Sequence, residues 1–113
     1  MKIYHNPRCR KSRETLELIK SKGIDPEVIE YLKSPLTKEE IKSILEKLGL
    51  NAKDIIRKNE SIFKEEFKGK VETEDEILKM LVENPKLIER PIVIENNEAI
   101  IGRPPENVLK LIK

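Results

Sequence analysis

The sequence predicts an α/β protein built as a βαβ unit, a helical block and a closing ββα unit, in that order. Three observations carry this. Met1-Lys2-Ile3-Tyr4 and the segment from Pro26 to Leu32 read as strands, and between them Ser12 to Lys22 has apolar residues at helical spacing. Two strands joined by one helix form a parallel pair. From 37 to 84 the periodicity is helical, and then Pro91-Ile92-Val93-Ile94 forms a continuous apolar run, the mark of a strand covered on both faces.

Each further element has its own signal. The first helix ends near Gly23. Thr37-Lys38-Glu39-Glu40 is a capping box, in which the Thr hydroxyl and the Glu carboxylate satisfy exposed N–H groups reciprocally. Ile41, Ile44, Leu45 and Leu48 then form one apolar stripe, closed by Gly49. A short helix from Ala52 to about Lys58 precedes an irregular stretch from Asn59 to Val71. Thr73-Glu74-Asp75-Glu76 repeats the capping box, with Ile77, Leu78, Leu81 and Val82 inward and Asn84-Pro85 as terminator. Asn96-Asn97 supplies the positive φ of a tight turn, so Glu98 to Ile101 pairs back as a strand. Pro104-Pro105 opens a last helix with Val108, Leu109 and Ile112 inward. With no internal repeat or linker, one domain is expected over residues 1–113, with a helical insertion at about 37–84.

Composition narrows the chemistry. A single cysteine excludes an intrachain disulfide, and one cysteine with one histidine falls short of a dedicated zinc site, so neither a metal nor a bound cofactor is expected. Lysine and arginine total 23 against 21 acids, a net charge of +2 that exerts no overall pull on nucleic acid. Aromatic residues are 4% of the chain, too few for base-stacking platforms. No apolar stretch approaches the ~20 residues of a membrane span, and the N-terminus lacks the apolar core of a signal peptide. The cytoplasm is therefore the expected compartment.

Reactivity is expected at Cys9. It lies in His5-Asn6-Pro7-Arg8-Cys9-Arg10-Lys11-Ser12-Arg13, where five of nine residues are cationic or can become so and no acid intervenes before Glu14. Nearby positive charge lowers a thiol pKa by stabilising the thiolate, the nucleophilic form. A helix start at the same place adds unpaired N–H groups and the helix dipole. A lone cysteine is most often a small buried apolar residue; flanks this cationic do not suit such a site.

These residues resemble the glutaredoxin-related arsenate reductases, which share a thioredoxin-like fold with the Spx-type transcription regulators. The resemblance rests on four ordered segments: Tyr4 to Arg13, Ile56-Arg57-Lys58-Asn59-Glu60, Ile88-Glu89-Arg90-Pro91-Ile92-Val93 and Gly102-Arg103-Pro104-Pro105-Glu106. It implies a thioredoxin-like fold in which the Cys9 thiolate attacks arsenate or a related oxyanion held by Arg57, Arg90 and Arg103, with Pro91 as a cis-proline beside the cysteine. Guanidinium suits that task, since its fixed paired donors neutralise several oxygens at once. It also implies glutathione as co-substrate and glutaredoxin as reductant, because the chain has no second cysteine for an internal relay.

Two residues stay open. His5 is either a cation that raises the thiolate fraction or a surface imidazole at a strand end. Ser12 either donates to the thiolate or caps the helix. Tyr4 is expected to pack. Arg10 and Lys11 depart from the small residues associated with these positions. Two other functions fit the same resemblance. One is a regulator docking on RNA polymerase, although Ser12 replaces the second cysteine of the usual Cys-x-x-Cys switch. The other is a glutaredoxin-like oxidoreductase using Cys9 in a monothiol cycle.

Overall fold

In the computed structural model, which describes residues 1–112, β1 (Lys2–Tyr4) leads through a short loop into α1 (Arg10–Ser21). The helix starts two residues before Ser12. Its buried face is Ser12, Thr15 and Ile19, polar at the N-terminal end and apolar only further on, so the apolar periodicity alone begins too late. β2 (Glu27–Ile29) lies parallel to β1, with Ile3 opposite Val28. It is shorter than the expected 26–32, because the N–H groups of Lys33 and Ser34 both turn back to the Glu30 carbonyl.

β3 (Ile92–Glu95) runs antiparallel to β1, and β4 (Glu98–Ile101) antiparallel to β3, giving the sheet order β2-β1-β3-β4. Ile92, Val93 and Ile94 are all buried, as a doubly covered strand requires. Asn96 turns the hairpin with φ of 58°. The fold is thioredoxin-like. Its core joins Ile3, Ile19, Val93, Val108 and Leu111.

The last segment differs from expectation. Pro105–Lys110 winds as a 3-10 helix, and Leu109 is 40% exposed while Leu111 is buried. Three residues per turn place Pro105, Val108 and Leu111 on one face, whereas the expected Val108, Leu109 and Ile112 stripe assumes the wider α-helical turn.

The chain divides into two compact units, one made of Met1–Ser34 with the segment from Arg90 onward, the other of Pro35–Glu89. In the second, α2 (Lys38–Leu48) and α3 (Glu74–Glu83) both start in the expected capping boxes on Thr37 and Thr73. Gly49 closes α2 at φ 71°, in the left-handed region that glycine occupies without a Cβ penalty. The short helix after it is 3-10 and covers only Ala52–Ile55. Backbone pairing takes over there: the Arg57 N–H donates to the Leu87 carbonyl (2.7 Å) and the Glu89 N–H to the Ile55 carbonyl (2.8 Å). The stretch expected to be irregular contains a π-helical turn, Phe63–Phe67, anchored by buried Phe63. On α3, Met80 is buried in addition to Ile77, Leu78 and Leu81, while Val82 is only half-buried. Among the described residues no helix is long and apolar enough to cross a membrane.

Candidate active site

The site is built around the loop between β1 and α1. The His5 N–H extends the β1–β2 ladder by donating to the Ile29 carbonyl at 2.8 Å. Asn6 then folds the chain back: its carbonyl accepts the Cys9 N–H at 3.0 Å, and its side-chain oxygen accepts the Arg8 N–H at 3.0 Å. Asparagine favours such turns because its side chain mimics a backbone acceptor. The result places Cys9 at the N-cap of α1, with extended backbone (φ −91°, ψ 123°) and a partly exposed thiol.

A buried polar layer lies beneath. His5 Nδ1 and Ser12 Oγ share a hydrogen bond of 2.6 Å, and the Asn6 N–H donates to the same Oγ at 3.1 Å. Both alternatives for His5 are thereby corrected. It is no surface imidazole, being 6% exposed. Nor is it favoured as a cation: burial lowers its pKa, the Glu30 carboxylate partly opposes this, and Arg13 and Lys20 push it lower still. Ser12 is corrected in the same way, since its hydroxyl is committed to His5 and Asn6. Its backbone N–H, not its hydroxyl, serves the sulfur.

Two arginines meet at Cys9. Arg103 Nη2 lies 3.4 Å from Sγ, and its Nε donates to the Arg90 carbonyl at 2.8 Å. Arg90 also hydrogen-bonds the thiol. Burial pushes the Cys9 thiol up, but the Ser12 N–H, the Arg90 hydrogen bond and the charges of Arg90 and Arg103 outweigh it, so its pKa lies below the ordinary value. The Arg90–Pro91 peptide bond is cis, as expected, and so is Arg103–Pro104, which was not anticipated. Tyr4 is buried.

Supporting residues outside the sequence-derived set hold this arrangement. Asn107 Nδ2 donates to the carbonyls of Ile101 (3.3 Å) and Arg103 (3.1 Å), fixing the turn that carries Arg103. The Gly102 N–H donates to the Pro91 carbonyl at 2.9 Å, and Thr15 Oγ1 donates to the Lys11 carbonyl at 2.8 Å beside it. A Cβ on Gly102 would stand 2.5 Å from Thr15 Oγ1 and 2.8 Å from Pro91 Cγ. The Asn6 turn was open to sequence reasoning; the Thr15–Gly102 contact joins residues 87 apart and leaves no local pattern.

Arg57 belongs to the second unit, where its guanidinium lies 3.4 Å from Glu60 and 4.0 Å from Glu89. Arg10 reaches solvent, its side chain 84% exposed and paired with Glu14 at 2.9 Å, and Lys11 is exposed as well. The two departures from small residues thus add positive charge on the solvent side of α1. Among the described residues no cluster of three or more His, Cys, Asp or Glu side chains is placed to hold a metal ion.

A thiolate at a helix start, with two guanidinium groups and a backbone N–H beside it, is equipped for nucleophilic attack on an oxyanion. A sequence profile of the ArsC family matches residues 4–111, and the chain belongs to that family. It is 46% identical to the "Uncharacterized protein YfgD" of Escherichia coli strain K12, over 99% of this chain and 96% of that one. It is 42% identical to an arsenate reductase of Neisseria meningitidis, over 96% of this chain and 94% of the other. Its structure superposes on that of the arsenate reductase from Vibrio cholerae with a TM-score of 0.92 at 47% identity, covering 96% of this chain and 94% of that one.

Proposed function

We propose that the protein reduces arsenate, with Cys9 as nucleophile and glutathione and glutaredoxin as the source of electrons. The observation that carries this reading is the convergence of Arg90, Arg103 and the Ser12 N–H on one lowered-pKa thiol. The Cys9 thiolate attacks arsenic and displaces one oxygen, which leaves as water once protonated. Arg90 and Arg103 neutralise the remaining oxygens as charge gathers on them. Glutathione thiolate next attacks the Cys9 sulfur. The sulfur–arsenic electron pair stays on arsenic, giving arsenite and a Cys9–glutathione mixed disulfide. A glutaredoxin thiol then attacks the glutathione sulfur and Cys9 leaves as thiolate. Such a cycle belongs in a reducing compartment, and the cytoplasm supplies one.

The test is steady-state arsenate turnover with glutathione and glutaredoxin, coupled to reductant consumption. Cys9→Ser abolishes it. Arg90→Ala and Arg103→Ala each cost about 1.5–3 kcal/mol, the worth of a hydrogen bond to a charged group, or about one to two decades in kcat/KM. Arg57→Ala tests the third arginine implied by the family resemblance. Sulfate, phosphate and arsenate should each slow Cys9 alkylation competitively. No turnover, together with alkylation indifferent to these anions, would overturn the proposal.

A further inference from the structure

Next to the Cys9 loop is a cavity of about 260 Å³ that the chemistry above does not use. Pro7 and Leu32 give it an apolar wall, His5 contributes to the lining, and Arg8, Lys33 and Glu30 bring charge. Lys33 and Glu30 form an exposed ion pair at 3.4 Å. Leu32 is 41% exposed, although a large apolar side chain gains from being covered. Arg8 directly precedes Cys9, so the cavity and the reactive sulfur are one residue apart along the chain.

We infer that this cavity receives the zwitterionic head of the thiol that discharges Cys9: a free α-carboxylate and α-ammonium carried on a short peptide thiol of the γ-glutamyl class. This rests on the proposed reading only in needing an external thiol, which a chain with one cysteine requires for any two-electron reduction. Charge matching selects the head group. A carboxylate finds Arg8 and Lys33, and the ammonium beside it finds Glu30, so the ligand takes both halves of an existing ion pair. The peptide stem covers Leu32 and Pro7. Placement agrees as well, since a head held at Arg8 sits at the residue adjoining Cys9, about 3.8 Å away between Cα atoms.

The experiment measures disulfide exchange on Cys9, followed by mass, with two reagents: oxidised glutathione and the uncharged 2-hydroxyethyl disulfide. In each case the Cys9 thiolate displaces one thiolate from the disulfide and forms a mixed disulfide, so no arsenate is involved. The ratio of the two rates, normalised to a free cysteine peptide, should favour glutathione. Arg8→Ala, Lys33→Ala and Glu30→Gln should each lower that ratio by about two- to fivefold, the size of one exposed ion pair. Lys11→Ala controls for the general positive field, because Lys11 is an exposed cation near Cys9 outside the cavity. Equal loss in Lys11→Ala, or an unchanged ratio in the three cavity variants, would overturn the inference. As a second measurement, the unreactive S-methylglutathione should shift backbone amide resonances at Arg8, Leu32 and Lys33. Shifts confined to other segments would also overturn it. Failure of arsenate turnover would leave both readouts standing, and their failure would leave arsenate binding untouched.

Discussion

Replacing Gly102 with alanine should damage the fold and the site together. The new Cβ would lie 2.5 Å from Thr15 Oγ1, 2.8 Å from Pro91 Cγ and 3.0 Å from Thr15 Cγ2. None of these atoms can swing away easily. Thr15 is fully buried with its hydroxyl tied to the Lys11 carbonyl, and Pro91 is a buried ring. Overpacking of this kind costs about 1–3 kcal/mol. The loss of backbone freedom in the unfolded chain, worth about 0.4–1 kcal/mol for Gly→Ala, works in the other direction. A net loss of about 1–2 kcal/mol should remain, or about 4–8 °C in Tm for a chain of this length. Urea unfolding at neutral pH measures it directly. Thr15→Ala removes two of the three crowding atoms, so the double variant should recover about 1 kcal/mol relative to the sum of the single changes. Because Gly102 adjoins Arg103, Gly102→Ala should also slow alkylation of Cys9 at neutral pH. A Gly102→Ala protein as stable as the parent, or strict additivity with Thr15→Ala, would refute the packing argument.

Other outcomes follow from the same geometry. His5→Ala and Ser12→Ala delete opposite ends of one buried 2.6 Å hydrogen bond, so each should cost about 1–3 kcal/mol and the double variant less than their sum; additive losses in chemical denaturation would deny the pairing. The folded pKa of His5 is lowered, so the unfolded chain takes up its proton first and stability falls as pH drops below 6.5 toward the folded value. Replacing His5 with Asn should flatten that limb of a stability-versus-pH series, and an unchanged slope would count against it. The Cys9 pKa is lowered too, so stability should rise with pH from its folded value up to 9.0, and Cys9→Ser should remove that rise. Arg90→Ala and Arg103→Ala should move the midpoint of the alkylation rate against pH upward, and a fixed midpoint would dissociate the arginines from the thiol.

Much of the fold was legible because its signals are local. The two Thr capping boxes, the Asn96 turn and the apolar run at Ile92–Ile94 each lie within a few residues of sequence, and each appears where expected. The final helix was misread because an apolar pattern of Val108, Leu109 and Ile112 suits an α-helix, and nothing in the residues themselves announces the tighter winding that buries Leu111 instead. In the site, the cationic flanks of Cys9 pointed to a lowered thiol pKa; the direction agrees, but the cations that produce it are Arg90 and Arg103, far away in sequence, together with the Ser12 N–H. The parts played by His5 and Ser12 were hidden because they depend on burial. A histidine at a strand end reads as exposed until the loop folds over it and hands its Nδ1 to a hydroxyl seven residues on.

The start of α1 differs from the other two α-helices in what it omits. α2 has Glu39 and Glu40 in its first turn and α3 has Glu74, Asp75 and Glu76, whereas α1 has no acidic residue there. Carboxylates at such positions each contribute about 0.3–1 kcal/mol. α1 forgoes that stabilisation, and the negative charge set against its start is the Cys9 thiolate at the N-cap, bonded to the Ser12 N–H. Any anion that settles on these N–H groups tightens the folded state by mass action. Anion affinity and conformational stability thus draw on the same N–H groups, and engineering a Glu into the first turn of α1 to strengthen the fold would compete with an incoming oxyanion for them.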